Sequence, residues 1–99
     1  MEPRCKSITR VILPAVRASV AQVLSKEYKY NQQQIADKLG IVQVAVSKYL
    51  SENYSKEVKD LDAYIIKNNL NKEIISAVIS GSNIESVISK LCELLAQTY

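Results

Sequence analysis

Apolar side chains return every three or four residues over almost the whole chain, the spacing that puts them on one face of an α-helix. The pattern begins with Ile8, Val11 and Ile12, after residues 1–6, which show none and are expected to fray. Pro14 then intrudes; proline suits the first turn of a helix and removes a backbone donor further in. The pattern predicts either a kink at Pro14 or a short turn followed by a helix over about residues 14–28. Val16, Val20, Val23 and Leu24 make its stripe, with Arg17, Gln22, Ser25 and Lys26 placed elsewhere.

Asn31 opens the next element, and Gln34 three residues on completes a capping-box pattern. A short helix through Ile35, Ala36 and Leu39 is closed by Gly40, which can take positive φ. A third helix is expected over about residues 42–50. The β-branched Ile41, Val42, Val44 and Val46 would by propensity favour a strand over residues 43–46. Beyond Asn53 the period stays helical. Val58, Leu61, Ile65 and Ile66 mark a helix over residues 55–68. Asn71 is expected to cap another, with Ile74, Ile75, Val78 and Ile79 on one face and Gly81 at its end. Ser82 and Glu85 repeat the capping-box pattern before a last helix with Ile84, Val87, Ile88, Leu91, Leu94 and Leu95. The fold class is all-α with six helices, and no hairpin signal follows Leu50 to suggest a β-wing.

Residues 32–50, QQQIADKLGIVQVAVSKYL, carry the most information. Two short helices that cross steeply through a tight turn need a small residue at the crossing, a glycine in the turn and apolar side chains in the angle. Ala36 supplies the first, Gly40 the second, and Ile35, Leu39, Ile41, Val46 and Leu50 the third, with Tyr49 at the edge. Each helix is too short to be stable alone, so their shared wedge and the preceding helix must hold them. This is a helix-turn-helix pattern, and it outweighs the strand propensity of residues 43–46. The expected architecture is a tri-helical helix-turn-helix core followed by additional C-terminal helices.

At 100° per residue, with Gln43 as zero, Ser47 falls at about 40°, Ser51 at about 80°, Val44 at about 100° and Lys48 at about 140°. Val46, Tyr49 and Leu50 fall on the other side, toward the core. The outward set suits the major groove of double-stranded DNA. Glutamine pairs with adenine, serine bonds either way, valine touches a thymine methyl, and lysine reaches guanine or a phosphate. Gln43, Val44, Ser47 and Lys48 are the expected base contacts. Gln32, Gln33 and Tyr54 are the expected phosphate contacts, which position a protein without reading sequence. Arg17 is expected at a phosphate, in a salt bridge or simply exposed. If the outward residues of the third helix are only solvated, the chain is a protein-interaction module on the same fold without DNA binding.

The stretch resembles the helix-turn-helix of the phage repressor and Cro family over nineteen residues. In that family a glutamine opening the first helix contacts a phosphate and braces a glutamine at the start of the recognition helix; Gln32 and Gln43 match those positions. The wider span ILPAVRASVAQVLSKEYKYNQQQIADKLGIVQVAVSKYL is similar to a family of small archaeal transcriptional regulators. Residues 13–17 match its leading "LPA-hydrophobic-R" segment, and residues 46–50 its "VSxYL" recognition helix. The resemblance implies sequence-specific transcriptional regulation, repressor-like, with a Cys near the N-terminus and a Cys-x-x-Cys near the C-terminus. Cys5 and Cys92 fit the outer positions, but Leu95 replaces the last cysteine, so no metal or other cofactor is expected.

Charge is uneven along the chain. Residues 1–54 hold eight Lys/Arg against four Asp/Glu, and residues 55–99 hold five against six. The basic excess therefore lies with the helix-turn-helix, where it would attract a polyanion. Residues 1–54 form the expected DNA-binding region and residues 55–99 a helical C-terminal region for homodimerisation, with one continuous domain as the alternative. The faces of Ile74–Ile79 and Ile84–Leu95 serve either a dimer interface or the monomer's own core; periodicity shows a buried face but not whose surface buries it. An RNA target is disfavoured, because the tyrosines form no evident stacking platform and there is no Phe or Trp. An enzyme is not expected: the chain has no His for a triad or general base and no Gly-rich phosphate loop. With no signal peptide and no long apolar run, the expected location is the cytoplasm, off the membrane, with free thiols. Nothing marks a small-molecule pocket.

Overall fold

The computed structural model describes residues 8–98. The expected fraying of residues 1–6, and Cys5 with it, lie outside them. A π-helical stretch, Ile8–Ile12, runs directly into α1, Leu13–Lys26. Five more helices follow: α2 (Gln32–Leu39), α3 (Gln43–Leu50), α4 (Lys56–Lys67), α5 (Lys72–Ser80) and α6 (Ile84–Thr98). Among the described residues there is no strand, and residues 43–46 are helical despite their β-branched side chains. Neither arrangement expected at Pro14 is quite what forms. Pro14 occupies the first turn of α1, directly after the π-helical turn, and the chain stays helical through it.

The other elements gather around α1. It packs against the π stretch and all five later helices, most extensively against α4. Its composition allows this: Ala15, Ala18, Ser19 and Ala21 are small, so neighbouring helices approach closely, while Val16, Val20 and Leu24 fill the spaces between them. The expected single stripe is thus too narrow. Gln22, placed off the stripe by periodicity, is buried.

Local chemistry sets the helix ends. At α2 the capping box forms as the sequence predicts: Gln34 N–H donates to Asn31 Oδ1 at 2.8 Å and Asn31 N–H to Gln34 Oε1 at 2.9 Å. Gly40 and Gly81 close α2 and α5 with φ of 67° and 79°. Ser55 caps α4 through Val58 N–H. Two expected caps are corrected. Asn71 precedes α5 but makes no side-chain cap, because its amide is turned inward to Ser19. Before α6 the capping acceptor is Asn83, whose Oδ1 takes Glu85 N–H at 2.9 Å; the Ser82 hydroxyl pairs with Ser80 instead.

One contiguous apolar core draws on every helix. Val16, Val20 and Leu24 of α1 meet Ile35 and Leu39 of α2, Val46 of α3 and Val58, Leu61 and Ile65 of α4. Ile74, Ile75 and Val78 of α5 and Ile88, Leu91 and Leu95 of α6 belong to the same cluster. Most of the two C-terminal apolar faces is therefore consumed within the chain. Ile79, at 47% exposure, and Leu94, at 50%, remain on the surface.

Candidate nucleic-acid interface

Three residues, Gly40, Ile41 and Val42, connect α2 to α3. The left-handed Gly40 turns the chain, and Ile41 N–H closes the end of α2 on the Ala36 carbonyl at 3.1 Å. Ala36, Ile35 and Leu39 are buried on the α2 side and Val46 on the α3 side, with Ile41, Tyr49 and Leu50 packed half-buried around them. Because α1 packs on both helices, their mutual pose rests on core contacts and not on the turn alone.

That pose leaves one face of α3 free. Gln43, Val44, Ser47 and Lys48 are all exposed, so the structure brings together the four residues expected to contact bases. Val44 is 78% exposed, and Val42, just before the helix, is 67% exposed. Apolar branched side chains this open gain little from the fold. Ser51, at the far end, turns its hydroxyl back to the Lys48 carbonyl at 3.2 Å.

The expected phosphate contacts are more dispersed. Gln33 is exposed and Gln32 half-buried, both in the first turn of α2. Arg17 is half-buried on α1, close enough to Cys92 of α6 for its charge to act on that thiol. Tyr54 is turned inward. Its hydroxyl donates to Asp62 Oδ2 at 2.8 Å and accepts from Gln22 Nε2 at 2.8 Å. A phosphate would have to compete with these internal bonds, so the geometry gives Tyr54 an anchoring place behind α3.

Asp62 and Gln22 complete this anchor, and neither stands out in the sequence. Gln22 Nε2 also donates to Asp62 Oδ2, at 2.9 Å. Asp62 is only 4% exposed, although acidic residues on amphipathic helices are expected to be solvated. Its signal is positional: it follows Val58 by four residues and precedes Ile65 by three, which places it on the core stripe of α4. Burial lifts its carboxyl above the usual range, while the bonds from Tyr54 and Gln22 pull it down. Burial, and then the bond to Asp62, push the Tyr54 phenol upward.

Elsewhere the chain offers less chemistry. Cys92 is a free buried thiol whose pKa burial raises, the direction of an unreactive cysteine. Among the described residues no group of three His, Cys, Asp or Glu side chains comes together to hold a metal ion. No helix among them is long and apolar enough to cross a membrane. An open groove of about 610 Å³ runs between the ends of α1 and α4 and the face of α5, over Val23, Ile66, Ile75 and Ile79. No protein-family model, curated protein or solved structure matches the chain.

Proposed function

We propose that the protein binds double-stranded DNA sequence-specifically, with α2, the Gly40 turn and α3 acting as a helix-turn-helix and α3 entering the major groove. The observation that carries this reading is the outward face of α3. It sets a glutamine, a serine, a lysine and a largely exposed valine side by side on a helix whose opposite face is pinned to the core by Val46. These are the side chains that complement base edges. The basic excess of residues 1–54 favours the same partner. The resemblance read in residues 13–17 and 46–50 to small archaeal regulators extends this proposal to transcriptional control.

Helix-turn-helix proteins commonly bind as two-fold dimers on half-sites one DNA turn apart. A homodimer is part of this proposal, with Ile79 and Leu94 the apolar residues of the C-terminal helices still exposed for it.

The test is selection of the purified protein on a random duplex library at about 150 mM salt, where nonspecific phosphate binding is weakened, alongside Gln43→Ala/Ser47→Ala. Enrichment of a two-part inverted repeat that the variant loses supports a dimeric major-groove reader. No enrichment, with equal weak binding by both proteins, sinks it and leaves a protein-interaction module.

A further inference from the structure

We infer that Asp62 is a positioning residue for α3, acting through the hydroxyl of Tyr54. The inference rests on the DNA-binding reading for its purpose, but the contacts that define it lie within the chain.

Within four residues of the end of α3 at Leu50, the chain reverses and reaches Tyr54. It does so through Glu52, which adopts φ of 57°, a left-handed conformation that disfavours any side chain with a Cβ. Asn53 N–H bonds back to the Lys48 carbonyl at 3.0 Å and Ser51 N–H to Ser47 at 3.0 Å, so the last turn of α3 depends on this reversal. Glu52 thus closes α3 by the same left-handed helix end that Lys29 and Asn69 form after α1 and α4. Tyr54, two residues on, ties the chain that leaves this end to the core. Its ring packs edge-on against Tyr49 of α3, with centroids 6.2 Å apart. Its hydroxyl enters a closed ring of bonds with Asp62 of α4 and Gln22 of α1.

The stoichiometry of that ring is complete on one side. Both hydrogens of Gln22 Nε2 are used, the single hydroxyl hydrogen of Tyr54 is used, and Asp62 Oδ2 accepts twice. On the other side Asp62 Oδ1 is buried with no hydrogen-bond partner among the described residues. A half-satisfied buried carboxylate is a poor device for stability, since apolar packing in the same space does as well or better. What it does provide is direction. The hydroxyl of Tyr54 has one place to go, and the end of α3 follows it. Charged neighbours do not neutralise the carboxylate at contact distance: Lys26 of α1 favours its charge and Glu52 of the turn opposes it.

The experiment is residue-resolved amide exchange on the full chain, comparing wild type with Tyr54→Phe, Gln22→Leu and Asp62→Asn, together with duplex affinity at a temperature where all are folded. In Tyr54→Phe, amides of residues 47–54 are expected to exchange roughly tenfold faster or more, the scale of one lost bond to a charged group, and in Gln22→Leu, which keeps the Tyr54–Asp62 bond, by a smaller factor, while amides of α5 and α6 keep their wild-type rates. Asp62→Asn, which retains an acceptor for Tyr54, is expected to stay near wild type. Duplex affinity is expected to fall in the two loosened variants and recover in Asp62→Asn. Acceleration spread evenly over all helices, or failure of both variants to fold, assigns the ring to stability alone and overturns the inference, as do unchanged rates at residues 47–54. Selective loosening in a protein whose wild type binds no duplex upholds the clamp and removes only the DNA-binding reading.

Discussion

Asn71 and Ser19 meet inside the protein across 52 residues of chain: the Asn71 amide donates to the Ser19 hydroxyl at 3.2 Å, and both side chains are buried. The Ser19 hydroxyl itself donates to the Val16 carbonyl at 2.8 Å, so one hydroxyl links the middle of α1 to the entry of α5. Replacing Ser19 by Ala removes the acceptor but leaves the Asn71 amide in the core, which costs about 1–3 kcal/mol. Ser19→Ala is expected to lower unfolding free energy by that amount in urea titration. The Ser19→Ala/Asn71→Ala pair is expected to cost less than the sum of the two single changes, because the second removes the group stranded by the first. Strict additivity would show that the contact contributes nothing of its own.

Asp62 makes stability depend on pH in an unusual direction. Its carboxyl titrates above the ordinary range in the folded chain, chiefly through burial. The folded state therefore holds this proton more tightly than the unfolded state, where a carboxyl titrates near about 3.9. The contribution is fully present below that unfolded value and is lost as pH rises through the raised folded value. Denaturant unfolding of wild type and Asp62→Asn across this window is expected to show the wild type losing ground as pH rises, relative to the variant. Parallel curves would mean that Asp62 titrates alike in both states.

Asp62 also marks where sequence reasoning reaches its edge. Periodicity registers apolar side chains, so Val58, Leu61 and Ile65 are legible as a core stripe while Asp62 between them leaves no mark on it. Gln22 is misplaced for the same reason: it shares a helical face with Ala15, Ala18 and Ser19, residues too small or polar to count as a stripe. The outward face of α3 is legible because Val46 and Leu50 fix the inward direction and helical geometry does the rest. Capping is legible at Asn31, where the acceptor has no competitor. It is not at Asn71, whose amide finds Ser19, a partner no local rule could supply. Nor does the pattern separate a buried α5 face from a dimer face; the tertiary contacts had to show that Ile74, Ile75 and Val78 are already covered.

Gly40 is required for its backbone conformation and not for space. A Cβ built there meets nothing within 4 Å, yet φ is 67°. Gly40→Ala is therefore expected to cost about 1–2 kcal/mol, the strain of one left-handed residue with a Cβ. Gly40→Asn is expected to cost less, since asparagine tolerates this region better. Thermal or urea unfolding of the two variants checks the order. Equal losses would point to a steric cause that the open space around Gly40 does not contain.

Val44 is 78% exposed on the outward face of α3, so truncating it tests the proposed recognition apart from folding. Truncating a side chain this open is expected to change stability by less than about 0.5 kcal/mol. If the valine lies against a thymine methyl, Val44→Ala weakens binding to the selected duplex while leaving nonspecific binding alone. The methyl can be removed from the other partner by replacing individual thymines of the site with uracil. At the thymine that Val44 touches, uracil is expected to weaken the wild type and to have little further effect on Val44→Ala. At other thymines the two proteins should respond alike. That non-additive pair assigns one side chain to one base and gives the register of α3 in the groove. A Val44→Ala protein that binds the selected site as tightly as wild type would place this residue outside the interface and turn the reading face toward Ser47 and Lys48.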